Sequence, residues 1–206
     1  MLMKKFNHFY LLSYLMLFSS LCFADSKPEY LQEHTKGIKA YRQGNLIQAM
    51  LHLENSAKSG YAPSQTTLAY ILDQAEENER AFKLFKKAAE KNYAAAQFGL
   101  GNMYAKGEGT TKDVITAGIW IKKSAKQYHT PAMRAYAYAL EFGRLGFAKN
   151  EDLAFQWYQL CSQAQDPVCS RRLMQVYKNG GLKQAVDSIK ANKLQHQLNP
   201  SSKEKN

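Results

Sequence analysis

The sequence predicts an all-α fold: an α/α superhelical solenoid of about five helix-turn-helix repeats over most of its 206 residues. Three observations carry the prediction. A motif recurs in register, with 32 residues from Ser64 to Ala96 and 36 from Ala96 to Ala132. Within each copy the apolar residues fall at helical spacing, and no stretch keeps the two-residue alternation of a strand between turn residues. With 45% hydrophobic and 22% charged residues, the composition is that of an ordinary globular chain, neither disordered nor membrane-spanning throughout.

The central copy shows how each unit is built. Ala96, Leu100 and Tyr104 stand at i, i+4 and i+8, one apolar stripe of a first helix. Gly101 in that helix is small enough for a neighbouring helix to come close. Gly107 and Gly109 free the backbone for a turn. Ala117, Trp120, Ile121 and Ala125 then form the stripe of a second helix. A lone hairpin cannot bury both of its apolar flanks, so successive hairpins must stack into a shared core.

The flanking copies follow the same order. Ser64, Gln65, Leu68, Ala69, Ile71 and Leu72 precede Ala81, Leu84, Lys87 and Ala89; here the glycine loop is missing, which shortens the spacing. On the other side Ala132, Tyr136, Ala137, Leu140, Gly143 and Gly146 precede Ala154, Trp157 and Cys161. Two worn copies end the array, one marked by Gly37, Tyr41, Gly44 and Ala49 and the other by Leu173, Tyr177, Gly180 and Ala185. Pro63, Pro131 and Pro167 fall near the starts of first helices, where a missing amide hydrogen does no harm. The repeat domain is expected over 31–192, after a short linker at 25–30 and before a disordered polar tail at 193–206.

The pattern A-x-A-Q-x-x-L-G-x-M-Y-x-x-G-x-G, followed by D-x-x-x-A-x-x-W-x-x-K-x-A, resembles the Sel1-like repeat (SLR) family, a branch of the tetratricopeptide-like solenoids. Residues 94–129 carry it almost completely, through Ala94, Ala96, Gln97, Leu100, Gly101, Met103, Tyr104, Gly107, Gly109, Asp113, Ala117, Trp120, Lys123 and Ala125. The resemblance extends over roughly 31–190. Repeats one and two lack the G-x-G loop, repeat four has Tyr136-Ala137 in place of L-G, and the last has Met174 where the glycine would stand. The resemblance implies binding rather than chemistry, in a scaffold or adaptor; exported bacterial members serve envelope processes or host contact.

Residues 1–24 have a composition of their own. Lys4 and Lys5 precede an almost uncharged run from Phe9 to Phe23, and Cys22 and Ala24 stand at the −3 and −1 places of a cleavage site, the layout of a secretory signal. The run is shorter than a spanning helix needs and is diluted by Ser13, Ser19 and Ser20, so cleavage after Ala24 and a periplasmic or secreted protein are expected, with no integral membrane segment left. Removing 1–24 takes two lysines and no acid, leaving 182 residues with 26 basic and 17 acidic side chains, net +9. That excess favours encounter with anionic partners. The basic residues are spread along the chain without a nucleic-acid-binding motif, and nucleic acid is not an expected partner.

Cleavage leaves two cysteines, Cys161 and Cys169, in a compartment where an even pair forms a disulfide. Two free buried thiols would suit a cytosolic chain better. The pair, eight apart across the turn between two repeats, also resembles the bridge of cysteine-rich secreted family members from Helicobacter. Those carry a bridge in many repeats; a single one here should staple the last joint only.

No catalytic, metal or cofactor site is expected. His34, His52, His129 and His196 include no i, i+4 pair for a metal. Glu76, Glu77, Glu151 and Asp152 read as charge favouring helix N-termini. Some bridged relatives are described as penicillin-binding or β-lactam-hydrolysing, but the only S-x-x-K match, Ser202 to Lys205, is in the polar tail, without S-D-N or K-T-G. An envelope hydrolase is therefore a secondary reading, as is a secreted virulence factor binding a host protein.

In tetratricopeptide-like stacks the first helices line the concave wall. Opposite the core stripe fall Lys39 and Arg42, Tyr70 and Asp73, Phe98, Asn102 and Lys106, Arg134, Tyr138 and Phe142, then Arg171, Gln175 and Lys178. Six of these thirteen are basic and four aromatic, which suggests a cradle for an acidic protein or peptide segment. Arg134 and Arg171 are the expected carboxylate forks and Tyr138 the anchor. A merely solvated wall is the competing expectation.

Overall fold

The structure is a computed structural model that describes residues 27–199. The cleavage region, the Ser202–Lys205 match and the end of the tail lie outside the described residues. Among the described residues, ten helices form five antiparallel hairpins: α1 (Glu29–Arg42) with α2 (Leu46–Lys58), α3 (Ala62–Gln74) with α4 (Asn78–Glu90), α5 (Ala94–Lys106) with α6 (Val114–Ala125), α7 (Thr130–Phe142) with α8 (Glu151–Gln163), and α9 (Pro167–Asn179) with α10 (Ser188–Leu198). Each helix packs on its sequence neighbours, as a stack of hairpins requires. Beyond neighbours, α3 and α5 also meet; these are successive first helices, which line the inner wall.

Local chemistry sets the helix ends. Asn45, Asp113, Asn150, Asp166 and Asp187 each accept an amide from the first turn of the helix they precede. Gly107 ends α5 at φ +84° and Gly143 ends α7 at φ +63°, the left-handed conformation that glycine adopts without strain. Pro63, Pro131 and Pro167 all fall in first turns.

The core is assembled by repetition. Ser56 on α2 donates to the Tyr30 carbonyl at 2.6 Å, and Ser124, at the same place on α6, donates to Ala94 at 2.7 Å. Gln65 and Gln97 each reach back to the preceding second helix, donating to the carbonyls of Ala57 and Ala89. Leu68, Ile71, Leu100, Met103, Met133, Tyr136 and Leu140 fill the space between hairpins and are almost fully buried. In α1 the places of Gln65, Leu68 and Ile71 are taken by Glu33, Lys36 and Lys39, so the first hairpin turns a polar flank outward.

Two sequence expectations change. The helix α10 runs on to Leu198, through residues expected to be tail from 193, with its start capped by Asp187 and Leu194 packed on the core. The stretch expected as linker at 25–30 already includes the first turn of α1, from Glu29. The disulfide lies at the expected joint: Cys161 on α8 is bonded to Cys169 on α9, with Cα atoms 5.9 Å apart.

Candidate functional site

The inner wall opens into a groove of about 740 Å³ between α5, α7 and α9. Ala105, Ala135 and Ala139 give it an apolar floor, and Val168 of α9 shares its lining with the aromatic pair Tyr138 and Phe142 of α7. The spacing of four residues puts Tyr138 and Phe142 one turn apart, with ring centroids 4.7 Å apart. They are 43% and 52% exposed, whereas Tyr136 on the same helix is 3% exposed.

Arg144, just past the glycine that ends α7, lays its guanidinium over this pair, 5.1 Å from the Tyr138 ring and 5.9 Å from Phe142. It makes no ion pair among the described residues. The other arginines of the groove are committed. Arg134 donates from Nη1 to Asp166 at 2.7 Å, and Asp166 is buried, with its second oxygen accepting the amides of Val168 and Cys169. Arg172 reaches from α9 to Glu141 on α7, through Nη2 and through Nε at 3.2 Å. The Tyr158 hydroxyl donates to the second oxygen of Glu141 at 2.8 Å. Burial, and then the Glu141 carboxylate, push the Tyr158 phenol far above its usual range, so it stays a donor. Glu141 is thereby saturated, and the groove offers an uncommitted cation, an aromatic ridge and an apolar floor.

The sequence-derived residues divide accordingly. Asn102, Arg134, Tyr138, Phe142 and Gln175 come together in the groove. Arg134 is not the free fork expected of it, because α9 delivers Asp166 to it. Arg171 and Lys178 are exposed on α9 outside the groove lining, and Arg172, one residue on, faces it instead. Tyr70 is half-buried, edge-on to Phe85 at 4.8 Å and bonded to the Ala95 carbonyl at 3.3 Å, and burial raises its phenol to about 12. Asp73 is half-buried near Glu108, and both burial and that charge raise its carboxyl. Phe98 packs against the core beside His129, and Lys106 pairs with Glu108 at 3.0 Å. Lys39 and Arg42 are exposed on α1, four hairpins from α9; Lys39 holds the register of the buried Met103, one place away from the inner-wall row. Arg144, Glu141, Tyr158 and Arg172 were missed. The position of Arg144 directly after Phe142-Gly143 was the one available signal.

Two other clusters of potentially reactive groups among the described residues are tied up. His34 Nδ1 is 2.8 Å from Ser64 Oγ, but Ser64 is fully buried and donates to Ser56, so it cannot meet a substrate. Cys161, Asp166 and Cys169 bring potential metal donors within 4.8 Å of one another, yet the sulfurs are bonded to each other and Asp166 is taken by two amides and Arg134.

Known proteins share this architecture. The family model described as Sel1 repeat matches residues 74–93, 94–129 and 130–165. Protein sel-1 homolog 2 of Homo sapiens is 31% identical over 133 residues, 60% of this chain but 19% of its own length. The ERAD-associated E3 ubiquitin-protein ligase component HRD3A of Arabidopsis thaliana is 27% identical over 74% of this chain and 26% of its own length. The chain thus spans about a fifth to a quarter of these curated relatives. A Sel1 repeat protein from Oxalobacter formigenes superposes with TM-score 0.66 at 31% identity, covering 77% of this chain and 66% of its own. The protective antigen c5321 of uropathogenic Escherichia coli, which displays an SLR fold, gives TM-score 0.72 at 23% identity, covering 84% of this chain and 38% of its own.

Proposed function

Because this chain belongs to the Sel1 repeat family, we propose that it is an exported, non-enzymatic scaffold holding an acidic segment of another protein in the α5–α7–α9 groove. The observation that carries this reading is Arg144, without a carboxylate of its own and stacked on the exposed Tyr138–Phe142 pair above an apolar floor. An aromatic or aliphatic anchor of the guest fills the floor, and a neighbouring carboxylate meets Arg144, with the Glu141–Arg172 pair holding the two walls in place. The name of HRD3A, a component of a ligase assembly, agrees with an adaptor role. Export is supported by the leader-like composition of 1–24 and by the Cys161–Cys169 bridge, which suits an oxidising compartment.

The test is affinity capture from the envelope of the native cell, comparing the intact protein with Arg144→Glu and with Tyr138→Ala. A partner held by the intact protein and lost from both variants supports the groove. An unchanged partner set contradicts it. Export is checked by N-terminal sequencing of the fractionated protein, with Asp25 expected as the first residue.

A further inference from the structure

The second helices α4 and α6 carry another surface. On α6 the exposed side chains run from Val114, Ile115 and Ile119 in its first half to Lys123 and Lys126 at its end. Val114 is 41% exposed, Ile115 56% and Ile119 49%, three exposed apolar side chains on one helix, although Ile115 also touches the α7–α8 loop at Gly146. On α4, the second helix of the preceding hairpin, Lys83, Lys86 and Lys87 are exposed, with Glu79 and Glu90 near the two ends. None of these five lysines meets a carboxylate among the described residues. Lys123 rests its Nζ 4.3 Å from the Trp120 ring centroid, which supports the stem and leaves the charge accessible.

This combination is local. At the same register α8 carries Glu151, Asp152, Gln156, Leu160 and Gln163, so stacking alone does not impose it. Unpaired lysines alone would suit an acidic protein. Ile115 and Ile119, on the same helix as Lys123 and beside Lys126 at its end, add the second signal of interfacial binding, apolar side chains able to enter the headgroup layer while ammonium groups meet phosphates. We propose that the outer face of α4 and α6 docks peripherally on an anionic phospholipid surface, with Ile115 and Ile119 entering the headgroup region and the five lysines facing lipid phosphates. No helix of the described residues is long and apolar enough to cross a membrane, and the contact proposed is a surface one. It uses none of the side chains that line the groove.

The test uses the chain from Asp25 onward, checked for its helical fold by circular dichroism, in flotation with vesicles of phosphatidylcholine alone and of phosphatidylcholine with phosphatidylglycerol. Binding to the anionic vesicles only, weakening with salt, is expected. Replacing Lys83, Lys86, Lys87 and Lys126 with Gln should lower it at least tenfold, since each lysine near such a surface contributes roughly fivefold. Ile115→Ser with Ile119→Ser should lower it several-fold at unchanged net charge. Absence of binding by the intact chain overturns the proposal. So does binding that survives both sets of substitutions, or light scattering that finds the patch holding two copies of the chain together.

Discussion

Arg134 on α7 and Asp166 at the start of α9 are joined by a 2.7 Å bond from Nη1 to Oδ2, although 32 residues separate them. The same carboxylate caps α9 through the amides of Val168 and Cys169, so one side chain both starts a helix and ties it to its neighbour. Arg134 is more than a third exposed, so solvent screens the pair and most of the stabilisation belongs to the cap. Asp166→Ala should lower stability by about 1–2 kcal/mol in urea unfolding. Asp166→Asn, which keeps an acceptor, should lose less; equal losses would mean that the cap is unimportant.

Glu141 and Arg172 make the more buried connection between α7 and α9, with 7% and 30% of their side chains exposed. Arg172→Leu strands a desolvated carboxylate and should cost about 3 kcal/mol. The double variant Glu141→Leu with Arg172→Leu should be more stable than Arg172→Leu alone, because it removes the stranded charge. A double variant that loses the sum of the two singles would show that the groups are not coupled.

The Cys161–Cys169 bridge closes a short loop between α8 and α9, and its removal by Cys161→Ser with Cys169→Ser should cost roughly 2–3 kcal/mol. Hydrogen exchange should then quicken in α9 and α10 and stay unchanged in α1 to α4, since each hairpin touches mainly its neighbours. Uniform loss of protection would contradict a stack held together joint by joint.

Lys36, and then His52, hold the Glu33 carboxyl at about 2, below its ordinary 4.5. A lowered carboxyl pKa stabilises the fold above pH 4.5, and the contribution is lost as pH falls from 4.5 through 2. The stability advantage of the intact chain over Glu33→Gln should therefore be present above pH 4.5, shrink below it and vanish near pH 2. A difference that persists unchanged in acid would assign it to packing rather than to charge.

The sequence was legible wherever the physics is local. Gly107 and Gly143 mark helix ends by their backbone freedom, Leu100 and Tyr136 mark the core by spacing, and Cys161 and Cys169 mark a joint by their number and placement. Pairings across 31 or 32 residues were not legible, because which arginine meets which carboxylate depends on how far one helix slides and rotates against the next. That is why Arg134 read as free and Arg172 was passed over for Arg171. Tyr70 was misplaced for a related reason: its ring stands in the inner-wall row, but Phe85 and the Ala95 carbonyl draw it inward. The end of α10 was missed because Ala191 and Leu194 are too few apolar residues to stand out among lysines and glutamines.

The most direct test of a guest in the concave groove is photo-crosslinking in the native cell, with a light-activated phenylalanine analogue at Tyr138 and, as a control, at Gln156 on the exposed outer side of α8. The account predicts a protein adduct at position 138 that is absent at 156 and suppressed by Arg144→Glu. Adducts of equal yield at both positions, or at 156 alone, would contradict it.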